Sequence, residues 1–69
     1  MSRYAVFMES TRTGYSAYVP DLPGCIAAGP TKEETLELMR GAIEMHLRSM
    51  REDGDPIPEP SHIEILEVA

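Results

Sequence analysis

The sequence has few of the residues on which disulfide-rich and membrane proteins depend. Its 69 residues contain no tryptophan, a single phenylalanine and a single cysteine, Cys25. One cysteine cannot close an intramolecular disulfide, and no apolar run approaches the roughly 20 residues that span a bilayer. The first residues also lack the apolar segment of a secretory signal. We therefore expect a cytoplasmic protein with no membrane role.

Basic residues are also scarce. Six lysines and arginines stand against twelve acidic residues, which gives a net charge of −6 and a pI near 4.7. Binding to a phosphate backbone needs clustered basic side chains, so we expect no direct contact with nucleic acid. The charge fits a basic protein partner, or it serves solubility alone.

The sequence contains no phosphate-binding glycine loop and no clustered metal ligands. Its two histidines, His46 and His62, stand alone, and Cys25 lies in an apolar stretch where a buried thiol is the ordinary role. We therefore expect no catalytic residue, no cofactor and no metal site, and hence no enzyme.

One alternative chemistry stays open, because several carboxylates could meet near one end of a sheet and hold Mg²⁺ for phosphodiester cleavage. These residues are Glu9, Asp21, Glu33, Glu34 and Glu37. Negative charge is also stabilised at a helix N-terminus by the helix dipole, which explains Glu33 and Glu34 without a metal. A metal-dependent nuclease is therefore the third-ranked hypothesis.

The most informative stretch is a tight connection followed by a helix start. Pro20, Pro23 and Gly24 predict a turn, because proline fixes φ and glycine tolerates positive φ. Thr31 lies three residues before Glu34, which is the capping-box spacing. A helix is predicted from Thr31 to about residue 53, with Gly54 well placed to end it.

Alternating apolar and β-branched residues predict strands over residues 4–9, 14–19, 25–28 and 62–68. The helix has one apolar stripe, which consists of Leu36, Met39, Ile43, Leu47 and Met50. These elements predict a single α+β domain, residues 1–69, with β-β-β-α-β order and one helix on a small, mostly antiparallel sheet. The first strand is apolar on both faces, so we expect the second face to meet another subunit or a partner.

The stretch from residue 18 to residue 25 reads Tyr-Val-Pro-Asp-Leu-Pro-Gly-Cys, and it is followed by Gly29, Thr31, Glu33-Glu34 and a Pro-Ile-Pro strap. This pattern closely resembles the N-terminal domain of HicB-type antitoxins, in a short form that ends before the family's usual C-terminal DNA-binding segment. The resemblance implies a reduced RNase H-like fold without the nuclease site. It also implies binding to a small basic toxin, HicA, whose mRNA endonuclease site the antitoxin would cover.

The resemblance suggests roles for single residues. Partner contacts are expected at Asp21 and Leu22, on the exposed apex of the turn, and at Glu9 and Tyr18. Structural roles are expected at Pro20, Pro23, Gly24, Cys25, Gly29, Thr31 and Glu34. A homodimer or higher oligomer is expected, and the alternative function is a solitary oligomeric binding or regulatory module with no toxin partner.

Overall fold

The computed structural model describes residues 3–69, in which three short strands precede one long helix. The strands are β1 (Phe7–Ser10), β2 (Tyr15–Tyr18) and β3 (Ile26–Gly29), and the helix is α1 (Lys32–Asp53). The sheet has the order β1-β2-β3, and both strand pairs are antiparallel. The predicted α+β fold, with one helix on an antiparallel sheet, is confirmed.

The register places matching residues of the three strands side by side. Phe7 pairs with Tyr18, which pairs with Ile26 on its other side. The next row consists of Met8, Ala17 and Ala27. Successive residues of a strand point to opposite faces, so the second row faces the helix and the first row forms the outer face.

The loop between β2 and β3 folds into two consecutive turns, which we call the double turn (residues 19–25). The Leu22 N–H donates to the Val19 carbonyl at 3.0 Å, and the Cys25 N–H donates to the Leu22 carbonyl at 3.0 Å. Pro23 and Gly24, with φ of +86° at the glycine, occupy the central positions of the second turn, as in a type II turn. The predicted bend is confirmed.

Leu22 joins the two turns, and its side chain is turned into the protein with 0% of its surface exposed. The expectation that Leu22 lies exposed at the apex of the turn is therefore wrong. The two hydrogen bonds that pass through its backbone direct the side chain inward, whereas Asp21 stays on the outside.

The core is small. Its buried apolar residues are Ala17, Val19, Leu22, Cys25 and Met39. The Cys25 thiol lies 4.0 Å from the Met39 sulfur, and burial raises the pKa of this thiol. Cys25 is thus a packed side chain, and a raised pKa keeps it in the unreactive thiol form.

Both ends of α1 are capped as the sequence predicts. The Thr31 hydroxyl oxygen accepts a hydrogen bond from the Glu34 N–H at 3.1 Å. Gly54 has φ of +75°, and its N–H donates to the Arg51 carbonyl while the Asp55 N–H donates to the Met50 carbonyl. This pair of bonds is the Schellman ending, which glycine favours because it tolerates the left-handed conformation.

Thr35 is a core residue that the apolar pattern of the helix did not reveal. It is fully buried, and its hydroxyl donates to the Thr31 carbonyl at 2.6 Å. A Cβ atom at Gly29 would lie 2.8 Å from this hydroxyl oxygen. Gly29 therefore allows β3 to approach the first turn of the helix closely.

The apolar stripe of the helix is only partly buried. Met39 is in the core and Ile43, Leu47 and Met50 pack against it, but Leu36 is 49% exposed. The helix packs against β3 and β2, and within residues 3–69 no Cα atom of the helix lies within 8 Å of one in β1. This offset leaves Leu36 beside an open groove near Val6.

The predicted fourth strand is absent, because residues 62–68 have no regular secondary structure. The chain after Gly54 contains prolines at positions 56, 58 and 60, which cannot donate backbone hydrogen bonds. Instead, hydrogen bonds from the Tyr4 hydroxyl to the Pro58 carbonyl and from the Ser61 N–H to Asp21 hold this segment, which we call the proline strap (residues 55–61). The residues beyond Ser61 make no ladder with β1.

The burial of Leu22 generates a paired stability prediction. Leu22→Asp should lower the free energy of unfolding by more than about 3 kcal/mol, because it empties a core position and buries a charge. Leu36→Asp is the matched control and should change it by less than about 1 kcal/mol, since Leu36 is half exposed. Urea denaturation followed by circular dichroism measures both, and equal losses would contradict this core assignment.

A second pair tests the close approach of backbone segments at a glycine. A Cβ atom at Gly14 would clash with the Gly29 carbonyl and lie 2.8 Å from the Pro30 Cα, whereas a Cβ at Gly41 meets nothing within 4 Å. Gly14→Ala should therefore lower the melting temperature. Gly41→Ala should raise the melting temperature, because alanine within a helix is more favourable than glycine by roughly 1 kcal/mol of free energy. Opposite signs are required, and a stabilising Gly14→Ala would refute the contact.

Candidate functional site

The outer face of the sheet carries a row of exposed apolar side chains, which we call the outer patch (Phe7, Tyr18 and Ile26). Their exposed fractions are 50%, 41% and 70%. The rings of Phe7 and Tyr18 lie 5.5 Å apart between centroids and are tilted by 31°. Large apolar side chains that stay together on a surface mark interaction sites more often than single exposed ones do.

Polar residues border the outer patch along the strands. Glu9 pairs with Ser16, which pairs with Ala28, and this row lies two residues along from the patch on the same face. Two predicted contact residues, Glu9 and Tyr18, are therefore brought together on one surface. The arrangement combines aromatic anchors with a negative charge at the edge.

Asp21, on the outside of the double turn, makes hydrogen bonds to the chain that follows the helix. Its carboxylate accepts hydrogen bonds from the Ser61 N–H at 2.9 Å and from the Ser61 hydroxyl at 2.5 Å. These two bonds lower the pKa of Asp21, the side-chain bond more than the backbone bond. The Tyr4 hydroxyl donates to the Pro58 carbonyl at 2.6 Å. Together these contacts form a clasp that holds the proline strap against the body of the protein.

The residues considered for nucleophilic chemistry are placed unfavourably for it. Cys25 and the half-buried His46 border the same shallow cavity on the β3 side of the helix. The thiol, however, contacts Met39, and its pKa is raised, which opposes thiolate formation. His62 lies instead beside Asp21 and Ser61.

The five carboxylates considered for Mg²⁺ binding are separated by the fold. Glu9 lies on the outer face of the sheet, and Asp21 is hydrogen-bonded to Ser61. Glu33, Glu34 and Glu37 lie in the first two turns of the helix. In residues 3–69, no three acidic, histidine or cysteine side chains are grouped so that they could share a metal ion.

No helix within residues 3–69 is long and apolar enough to cross a membrane.

Comparison with protein families decides the family of this chain. A model described as the HicB-like antitoxin of the bacterial toxin–antitoxin system matches residues 4–69. The chain belongs to the HicB-like antitoxin family. The resemblance seen in the Pro-Asp-Leu-Pro-Gly-Cys motif is thereby confirmed across nearly the whole sequence.

Curated relatives of this HicB-like chain differ in length. A protein of Haemophilus phage HP1 is 38% identical over 61 residues, which cover 88% of this chain but 46% of the phage protein. Antitoxin HicB 2 of Photorhabdus laumondii is 36% identical, over 86% of this chain and 42% of its own length. A UPF0150 protein of Thermoplasma acidophilum is 34% identical, over 91% and 93%. The chain thus spans less than half of the phage and Photorhabdus proteins.

A solved structure has the same fold as the HicB-like chain. A chain of the HicA3 and HicB3 toxin–antitoxin complex superposes with a TM-score of 0.74 at 30% identity, covering 87% of this chain and 70% of that one. The fold and the family therefore agree.

Sequence reasoning did not find Ser61 and Tyr4, the two residues that complete the clasp with Asp21 and Pro58. The prolines indicated that the chain runs extended after the helix, but an extended segment has no periodicity from which its contacts can be inferred. Phe7 and Ile26 were also missed as surface residues. Their shared row follows from strand register, which the sequence did not specify.

The clasp generates a prediction about pH and about hydrogen exchange. Because its hydrogen bonds lower the pKa of Asp21, the clasp is intact above the usual pKa of an aspartate. It is lost as the pH falls through the lowered value. Asp21→Ala should lower the protection factor of the Ser61 amide at neutral pH. Acidification should lower the same protection factor in the unaltered protein, where each factor is taken relative to the intrinsic exchange rate at that pH.

Glu59→Ala is the control, because it removes a carboxylate from the same strap without touching the clasp. Hydrogen exchange of the Ser61 amide, followed by NMR, is measured in the unaltered protein, in Asp21→Ala and in Glu59→Ala. Unchanged Ser61 protection in Asp21→Ala would show that the clasp does not hold the strap in solution.

Proposed function

We propose that this protein is an antitoxin that binds a HicA-type toxin and blocks its mRNA endonuclease activity by covering it. The observation that carries the proposal is the superposition of 87% of the chain on a chain of the HicA3 and HicB3 complex. Membership of the HicB-like antitoxin family points to the same role.

The outer patch has the composition of a protein-binding surface. Aromatic residues are enriched at the centres of interfaces, where their truncation costs most. Phe7 and Tyr18 supply two such rings, and the flat neighbouring row of Ser16 and Ala28 leaves room for a partner side chain. Glu9 adds negative charge at the border of this surface.

Neutralisation by covering requires no reacting group in the antitoxin. It requires a surface that excludes the RNA substrate, and affinity sufficient to keep that surface in place. A net charge of −6 would attract a basic partner and would repel RNA. The proposed role is therefore that of a non-enzymatic binding protein in the cytoplasm.

A second candidate is a solitary oligomeric module without a toxin. The Thermoplasma relative favours it, because this chain spans 93% of that protein, so the fold also occurs with almost nothing added. In that case the outer patch would pair with a second copy. Light scattering, combined with the identity of the adjacent gene, separates the two candidates.

The outer patch can be tested with a catalytically inactive HicA-type toxin from the same genome. Tyr18→Ala should weaken binding by about 2 kcal/mol, roughly thirtyfold in Kd, as expected for an interface anchor. Leu38→Ala is the matched control, because Leu38 is 53% exposed but lies on the helix. Its Kd should stay within about threefold of the unaltered value.

Three outcomes contradict parts of this proposal. A wild-type protein that neither binds the toxin nor protects RNA from the active toxin would overturn the antitoxin function. Equal effects of Tyr18→Ala and Leu38→Ala would show that the toxin binds another surface. Loss of a dimer in Tyr18→Ala, without toxin binding by the wild type, would favour the solitary module.

A further inference from the structure

The net charge of the protein is concentrated in its C-terminal segment. Residues 52–69 contain six of the twelve carboxylates and neither lysine nor arginine. Residues 1–51 contain the other six carboxylates and all six basic residues, so that part is formally neutral. Two of these carboxylates, Glu52 and Asp53, end the helix. The folded body up to residue 53 therefore has a formal charge of −2, and the segment after the helix carries −4.

The end of this segment, which we call the tail (residues 62–69), is uncovered. Its apolar side chains are Ile63, Ile65, Leu66 and Val68, with exposed fractions of 56%, 91%, 84% and 90%. Within residues 3–69, no backbone hydrogen bond of the tail to another segment is present. The tail thus offers free backbone groups as well as free apolar surface.

The dimensions of the protein show more exposed surface than a folded monomer of this mass should have. Its accessible surface is 5769 Å², whereas a folded monomer of this mass should expose about 4,300 Å². Its radius of gyration is 13.5 Å, against about 11 Å for a globular chain of this length. The excess surface exceeds the roughly 800 Å² that one partner buries in a standard protein interface.

The pattern of the tail is that of a strand with two apolar sides. In an extended chain Ile63 and Ile65 point one way, and Leu66 and Val68 point the other. Glu64 and Glu67 lie among them, one on each side. The apolar side chains of such a segment are buried, and its backbone groups are hydrogen-bonded, only when a partner contacts both sides and pairs with its backbone.

The tail begins beside the outer patch. Ile63 and Glu64 border the same cavity as Phe7, and the clasp between Asp21 and Ser61 fixes the point from which the tail departs. The outer patch and the tail therefore form one continuous surface, in which Glu64 and Glu67 lie among apolar side chains.

Charge decides between the possible partners for the tail. A symmetric pairing of two copies through this surface would bring two acidic tails together, and like charges across an interface are unfavourable. A partner with a basic surface and an apolar groove matches the tail in both properties. We infer that residues 62–69 are a docking segment, which binds in extended form to a basic, apolar groove on the toxin.

This inference rests on the proposed antitoxin function, and it separates two physical contributions. Glu64 and Glu67 should act mainly on association, because charge steers encounter. Ile65 and Leu66 should act mainly on dissociation, because buried apolar contacts set the lifetime of a complex. The clasp limits the directions in which the tail can leave, which lowers the ordering cost of binding.

The experiment measures association and dissociation rates of the full chain with inactive HicA-type toxin from the same genome. The variant Glu64→Gln/Glu67→Gln should slow association at least about threefold at low salt and flatten its salt dependence. The control Glu37→Gln/Glu44→Gln removes the same charge from the helix and should alter association less. The variant Ile65→Ser/Leu66→Ser should speed dissociation about tenfold.

Each outcome has a distinct meaning. Equal effects of the two glutamate pairs would overturn the docking role, because total charge would then explain them. Wild-type rates in the Ile65→Ser/Leu66→Ser variant would overturn it as well, while leaving the antitoxin function intact. Loss of self-association in that variant, measured by light scattering, would assign the tail to a second copy instead. No binding by the wild type would overturn the proposed function, and this inference with it.

Discussion

The inward position of Leu22 is the constraint on which the rest of the structure depends. Within residues 3–69, five apolar side chains are buried, and three of them, Val19, Leu22 and Cys25, belong to the double turn. Such a small core leaves little surplus over conformational entropy. A loop therefore supplies the packing that a larger protein would draw from additional strands. The same turn presents Asp21 outward, so one local conformation sets both the core and the clasp.

Local signals in the sequence were sufficient wherever a single residue determines the backbone. The Thr31 cap, the Gly54 ending and the bend at Pro23 all follow from side-chain or φ requirements that neighbouring residues cannot override. Burial was not predictable in the same way. Leu22 and Leu36 are both leucines with plausible partners, and which one is enclosed depends on where the helix lies over the sheet.

The offset of the helix towards β3 explains several differences between pattern and structure together. Gly29 allows this approach, Thr35 fills the contact, and Leu36 is left half exposed beside the groove near Val6. A stripe with a period of 3.6 residues identifies the apolar side of a helix. The stripe does not determine how much of that side the sheet covers. The position of Thr35 was hidden because a threonine does not belong to an apolar stripe.

The tail shows the same limit for strands, and it bears on function. An alternating apolar pattern predicts that a segment will be covered, but it does not identify which surface covers it. Here the clasp directs residues 62–69 away from the small core, and their acidic residues make a second copy a poor cover. In the proposed role, a weakly charged body with an acidic, apolar extension separates two requirements. The buried core lies in the body, whereas affinity for a basic partner would reside in a segment that the core does not use.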